Sequence, residues 1–108
     1  EARSLVGDVR GKTALIIDDE ISTAGSLVKA VDTLLNAGAR EVYAAVTHGV
    51  YAGPAVERIE NSPIKEVAAT NTCLPKPHPK LRTLDVAPLF AEAIWRIHRG
   101  ESVSSLFT

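Results

Sequence analysis

One stretch constrains the fold more than any other: Leu15-Ile16-Ile17-Asp18-Asp19-Glu20-Ile21-Ser22-Thr23-Ala24-Gly25-Ser26. The run from Thr13 to Ile17 shows no apolar–polar alternation, which reads as a central strand buried on both faces. Carboxylates end it, hydroxyl side chains and a glycine follow, and a helix opens at about Ser22 or Thr23 and runs to Ala37. Leu27, Val28, Val31, Leu34 and Leu35 fall on one helical stripe, and Gly38 stands where a left-handed C-cap belongs. A buried strand leading directly into an amphipathic helix is the first half of a βαβ unit.

The rest of the chain repeats that alternation. Glu41–Thr47 reads as a second strand, broken by His48-Gly49, with a loop to Gly53. Pro54 suits the first position of a short helix carrying Ala55, Val56 and Ile59, which Asn61-Ser62-Pro63 ends. Lys65–Thr70 is a third strand. Pro75, Pro77 and Pro79 make Cys73–Lys80 a loop, and Leu81–Val86 is a fourth strand. A last helix over about Pro88–Arg99 sets Leu89, Phe90, Ala93, Ile94 and Ile97 on one face, and Gly100 closes it. The expected fold is α/β, a largely parallel open sheet flanked by helices with right-handed crossovers, in one domain over residues 1–108. The polar lead-in, Glu1 to Lys12, reads as a loop with a turn at Gly7-Asp8-Val9-Arg10-Gly11-Lys12, whose spacing is wrong for a nucleotide-binding phosphate loop.

Composition excludes several function classes. A formal net charge of −1 argues against a nucleic-acid partner, which calls for a basic face. The single Cys73 rules out an internal disulfide and a multi-cysteine metal site; it fits a reducing cytoplasm and reads as a small side chain near a strand end. No apolar run approaches a membrane span, and no signal-peptide pattern opens the chain. Glu1 in place of a methionine leaves a processed product, an expressed piece and a fragment of something longer all open.

The chemistry concentrates at the first strand-to-helix turn, because ligands of open parallel sheets sit outside the carboxyl ends of the strands. Asp18 and Asp19 there suit a metal, a diol or plain solvation. Ser22, Thr23 and Ser26 add hydroxyls, Ala24-Gly25 permits close approach of the backbone, and the free N–H groups of a helix start attract anions. N-capping accounts for one hydroxyl, not for three around a glycine beside paired carboxylates. A sugar phosphate satisfies both halves, its hydroxyls on the carboxylates and its phosphate at the helix start.

Asp18-Asp19-Glu20-Ile21-Ser22-Thr23-Ala24-Gly25-Ser26 resembles the ribose-phosphate motif of the type I phosphoribosyltransferase-like family. Glu41–Val50, Gly53–Ile59, Glu66–Thr72, Ala91–His98 and Ser102–Phe107 are similar to the ribose-phosphate pyrophosphokinases, and the resemblance covers nearly the whole chain. It implies an enzyme that passes the diphosphoryl group of ATP to ribose 5-phosphate, giving 5-phosphoribosyl 1-pyrophosphate and AMP, with this chain as its C-terminal domain. It implies that Asp18 and Asp19 hold ribose hydroxyls, directly or through Mg²⁺, and that Ser22, Thr23, Ala24, Gly25 and Ser26 cradle the 5-phosphate. ATP would bind through an N-terminal domain, the subunits would form a hexamer in the cytoplasm, and Ser102, Ser104 and Phe107 would contribute to an inhibitory phosphate site between subunits. The resemblance assigns no catalytic residue to this chain, whose cations before Ser26 are Arg3, Arg10 and Lys12, and the isolated chain is expected to be inactive. Two departures bear on the cradle. Ser22 stands where many relatives have Asp, removing a negative charge beside the phosphate, and Ser26 stands for Thr, keeping the hydroxyl.

His48 follows a strand and reads as structural or facing the site, His78 as a surface loop residue, and His98 as a favourable charge at a helix C-terminus. Trp95 belongs at a helix edge or an interface. Three other functions compete. A phosphorylation receiver domain would share the acidic strand end, yet the following strand ends in Thr47-His48 where a phosphorylatable Asp is required. A non-catalytic phosphoribosyl-fold regulatory protein and a phosphoribosyltransferase share the turn itself.

Overall fold

Residues 5 and 7–107 are described by the computed structural model. The apolar run at Thr13 does form a strand, but pairing carries it further than the pattern suggested: β1 spans Thr13–Ile21. Its last residues stay in register with the second strand, Glu20 opposite His48 and Ile21 opposite Gly49. The carboxylates therefore sit on the strand and not in a loop. Helix α1 spans Gly25–Asn36, β2 Glu41–Gly49, α2 Ala55–Asn61, β3 Glu66–Thr70, β4 Leu81–Leu84 and α3 Ala87–His98, with a final 3-10 turn at Ser104–Phe107. His48 and Gly49 continue β2, and Pro54 precedes α2 as its N-cap.

The four strands pair in sequence order, β1-β2-β3-β4, all parallel. Right-handed crossovers between successive neighbours carry every intervening helix to the same face, and α1 indeed packs beside α2. On that face Val31 and Leu27 of α1, Ile59 and Ala55 of α2, and Val42, Ala44, Val46, Val67 and Ala69 of the strands form the core. Val28, Leu34 and Leu35 complete the α1 stripe at lower burial, and Gly38 adopts the left-handed conformation expected of it (φ 100°).

The expectation that β1 is covered on both faces fails. Leu15 is 58% exposed and Ile17 70% exposed, because α1 and α2 both pack on the opposite face of the sheet. The apolar stripe of α3 is likewise uncovered: α3 buries no residue, and Phe90, Ile94 and Ile97 face outward. The Cα radius of gyration, 16.5 Å, exceeds the roughly 13 Å of a compact chain near this length.

Polar pins fix the loops. Asp85 accepts from the Ala87 N–H at 2.9 Å and from Asn71 Nδ2 at 2.9 Å, tying the start of α3 to the end of β3. The first of those bonds, then the second, holds the Asp85 carboxyl below its usual range. His78 is not the surface residue expected. It is half-buried, Nδ1 accepts from the Lys80 N–H at 3.1 Å, and Nε2 lies 3.4 Å from Glu60. Lys80 Nζ donates to the carbonyls of Ile59, Glu60 and Ser62, closing the C-terminus of α2. Trp95 is exposed, with the Arg99 guanidinium 5.4 Å from its ring centre and His98 beside it. No helix among the described residues is long and apolar enough to cross a membrane.

Tyr51 is the unusual core residue. It is 3% exposed, its backbone is left-handed (φ 52°), and its phenol oxygen has no hydrogen-bond partner among the described residues. Burial pushes its pKa up. Tyr51→Phe removes an unsatisfied buried hydroxyl without altering the packed ring, so it is expected to leave stability unchanged or raise it by about 1 kcal/mol. A clear fall in melting temperature would show instead that the hydroxyl has a partner.

Candidate functional site

The carboxyl end of β1 and the start of α1 enclose an open cleft of about 530 Å³. Its walls are Ile16–Ile21 of β1, the turn through Ser22, Thr23 and Ala24, Gly25, Ser26, Leu27 and Ala30 of α1, and Val46 of β2. Every residue singled out in that turn, Asp18, Asp19, Ser22, Thr23, Ala24, Gly25 and Ser26, lines it.

At one end stand exposed carboxylates. Asp18 Oδ1 accepts from the Asp19 N–H at 2.7 Å. A side-chain hydrogen bond with Asp18 is the main reason the Asp19 carboxyl titrates below its usual 3.8, helped by the N–H groups of Glu20 and of Asp19 itself and by His48. A carboxyl depressed in the folded state contributes stability above the unfolded pKa and loses it as pH falls through the folded one. The contribution of Asp19 is therefore complete at neutral pH and disappears only below about pH 4.

At the other end is a helix start that no side chain caps. The helix was expected to begin at Ser22 or Thr23, but Ala24 takes a left-handed conformation (φ 67°) and cannot belong to it, so α1 begins at Gly25. Neither hydroxyl caps it. The first N–H with a protein acceptor is that of Val28, which donates to the Ala24 carbonyl at 3.1 Å. The N–H groups of Gly25, Ser26 and Leu27 are left for another acceptor, and the side chains of Ser22, Thr23 and Ser26 make no hydrogen bond among the described residues. Unpaired N–H groups at a helix start following a left-handed residue form an anion-binding concavity.

The turn is held from outside by the segment after β2, a role the sequence reading missed. The N–H groups of Val50 and Tyr51 donate to the Ile21 carbonyl at 3.0 and 3.2 Å, and the Ala52 N–H donates to that of Ser22 at 2.8 Å. Arg58 Nη1 of α2 donates to the Thr23 carbonyl at 3.1 Å. Lys76 Nζ caps the Tyr51 carbonyl at 2.8 Å. His48 does not line the cleft; its Nδ1 lies 2.6 Å from Thr72 Oγ1. Arg10 and Lys12 are also absent from the lining, and Arg3 lies outside the described residues.

Among the described residues no group of three or more His, Cys, Asp or Glu side chains is arranged to hold a metal ion. Asp18 and Asp19 nonetheless offer exposed oxygen donors of the kind Mg²⁺ takes, since that ion is commonly held by one or two carboxylates together with water and substrate oxygens.

The tail residues lie elsewhere. Ser102 shares a second depression with Glu92, Trp95, Arg96, Glu101 and Ser105, none of which lines the first cleft. Ser102 and Ser104 share a 2.7 Å hydroxyl bond, and Arg96 donates to the Ser102 carbonyl and to the Ser105 hydroxyl. Phe107 is 75% exposed.

Residues 2–108 match the family model described as the phosphoribosyl synthetase-associated domain. The chain belongs to this family. Phosphoribosyl synthetase relatives include the ribose-phosphate pyrophosphokinase of Caldanaerobacter subterraneus subsp. tengcongensis, 55% identical over all of this chain and 35% of its own length. That of Deinococcus radiodurans is 57% identical over 98% of this chain and 35% of its own. The crystal structure of phosphoribosylpyrophosphate synthetase from Mycobacterium smegmatis superposes with a TM-score of 0.83 at 41% identity, covering 88% of this chain and 33% of that one. The chain thus spans about a third of the length of the phosphoribosyl synthetase relatives it matches. Membership of this family sets the receiver-domain reading aside.

Proposed function

We propose that this chain is the C-terminal, ribose 5-phosphate-binding domain of a ribose-phosphate pyrophosphokinase. The observation that carries the reading is the single cleft that joins exposed carboxylates to an uncapped, N–H-lined helix start. Asp18 and Asp19 accept hydrogen bonds from the ribose hydroxyls. The N–H groups of Gly25, Ser26 and Leu27 and the hydroxyls of Ser22, Thr23 and Ser26 receive the 5-phosphate. In the complete enzyme the anomeric hydroxyl attacks the β-phosphorus of ATP, the bond to the α-phosphate oxygen breaks, the hydroxyl proton is lost, and AMP leaves.

Moving a diphosphoryl group requires cations around the phosphates, and among the described residues no Lys or Arg lines this cleft. We therefore assign those cations and the ATP site to the remainder of the subunit, and Mg²⁺ to Asp18 and Asp19 with the substrate, where it would neutralise phosphate charge. We assign the enzyme to the cytoplasm as a hexamer, and Ser102, Ser104 and Phe107 to an inhibitory phosphate site between subunits, a placement supported by Arg96 beside Ser102.

Two measurements test the reading. The full-length subunit should convert ribose 5-phosphate and ATP to phosphoribosyl pyrophosphate and AMP. The isolated chain should bind ribose 5-phosphate weakly and give no product. A full-length protein that binds the sugar phosphate without turnover would instead be a non-catalytic relative, and product from the isolated chain would mean the cations are not elsewhere.

A further inference from the structure

We propose that Arg58 is a positioning residue for the sugar phosphate, fixing the turn in the conformation that exposes its N–H groups; this rests on the ribose 5-phosphate reading above. Three successive carbonyls of the turn are held from outside the cleft: Ile21 by the N–H groups of Val50 and Tyr51, Ser22 by that of Ala52, and Thr23 by Arg58. The first two holds are backbone. Arg58 is the one side chain among the described residues that grips the turn.

Its effect on the cleft follows from peptide geometry. A trans peptide directs its N–H opposite to its C=O. With the Thr23 carbonyl turned toward Arg58 on α2, the Ala24 N–H of the same peptide points away from α2. Thr23 and Ala24 line the cleft and no residue of α2 does, so that N–H points to the cleft side. Donation by a charged guanidinium also polarises the peptide and makes its N–H a stronger donor. The grip is needed because Ala24 is left-handed and not glycine, a conformation that persists only where the surroundings over-determine it.

Among the described residues no carboxylate lies within ion-pair distance of Arg58. Its Nη1 sits 3.3 Å from where a methyl on Gly25 would lie. A positive charge therefore stands beside Gly25 at the helix start, while among the described residues the charges lining the cleft are all negative: Asp18, Asp19 and Glu20. That charge favours a phosphate at this end over a neutral hydroxyl.

The test is steady-state kinetics of the full-length subunit with Arg58→Gln and Arg58→Lys. Arg58→Gln should raise KM for ribose 5-phosphate roughly 10-fold or more, the range expected for one charge-assisted hydrogen bond. kcat and KM for ATP should stay within about threefold of the parent, since the grip acts on ground and transition states alike. Arg58→Lys keeps the charge and loses the planar fork, and should fall between the two. An unchanged KM in Arg58→Gln overturns the proposal. So does an equal loss in both variants accompanied by a lower melting temperature, which is the mark of a simple brace. A parent protein that shows no affinity for ribose 5-phosphate would overturn the underlying reading itself, whereas normal parent kinetics with indifferent variants sinks only Arg58.

Discussion

Replacing Asp19 with Asn in the full-length subunit is expected to lower kcat/KM for ribose 5-phosphate by roughly 10- to 100-fold, and Asp18→Asn with Asp19→Asn together by about 100-fold or more. Hydrogen bonds to a charged acceptor are worth about 1.5–3 kcal/mol each, and 1.4 kcal/mol is a factor of ten. Asn preserves the shape and removes the charge, so the loss reports the carboxylate and not the packing. Asp19 is exposed and its carboxyl titrates below the ordinary range, so it is ionised at neutral pH, and because Asn does not titrate no pH adjustment rescues the variant. Melting temperature should stay close to the parent value, as for surface substitutions generally. A variant within twofold of the parent in kcat/KM would mean that the ribose hydroxyls are held elsewhere.

Gly49→Ala is expected to be among the most destabilising single-methyl additions in the chain. A Cβ there would lie 2.6, 2.7 and 2.9 Å from Cε2, Cζ and the hydroxyl oxygen of Tyr51. The ring cannot swing aside, because it is buried and its backbone is tied at both polar groups, the N–H to the Ile21 carbonyl and the carbonyl to Lys76. Overpacking of this kind costs about 1–3 kcal/mol. For a chain of this size that lowers the melting temperature by roughly 4–8 °C per kcal/mol. Adding Tyr51→Leu should recover part of the loss, a non-additive pairing that identifies the clash as the cause. Full additivity of the two substitutions, or no effect of Gly49→Ala, would show that the ring does not pack as described. Because Tyr51 also holds the Ile21 carbonyl, the methyl should weaken ribose 5-phosphate binding as well.

The parts legible in the sequence were those written in local pattern. Unbroken apolar runs at Leu15–Ile17 and Val42–Val46, the stripe from Leu27 to Leu35 and the glycine at 38 report strands, helical period and a left-handed cap. Each needs only neighbours in the chain. The turn residues were legible as a cluster too, since carboxylates, hydroxyls and a glycine are contiguous. Illegible were the features made by pairing across the chain. The extension of β1 to Ile21 depends on His48 and Gly49, and the grip on Thr23 depends on a residue 35 positions away. Nothing local marks Arg58 for that role. The helix start misled for a different reason. Capping rules assume a helix N-terminus satisfies itself with Ser or Thr, whereas this one leaves its N–H groups free and turns at Ala24. The uncovered face of β1 was hidden because an unbroken apolar run signals a double-sided environment without saying which chain segment provides the second side.

That uncovered face has a thermodynamic consequence. Any molecule that covers Leu15 and Ile17 in the folded chain, and does not bind the unfolded one, raises its stability by an amount that grows with the logarithm of its concentration. The same holds if the cover is a second copy of the chain. The melting temperature of the isolated 108 residues is then not a constant of the sequence but a titration curve. If the cover is a second copy, it should rise with protein concentration, and the slope of that rise measures how much of the fold's stability the contact lends.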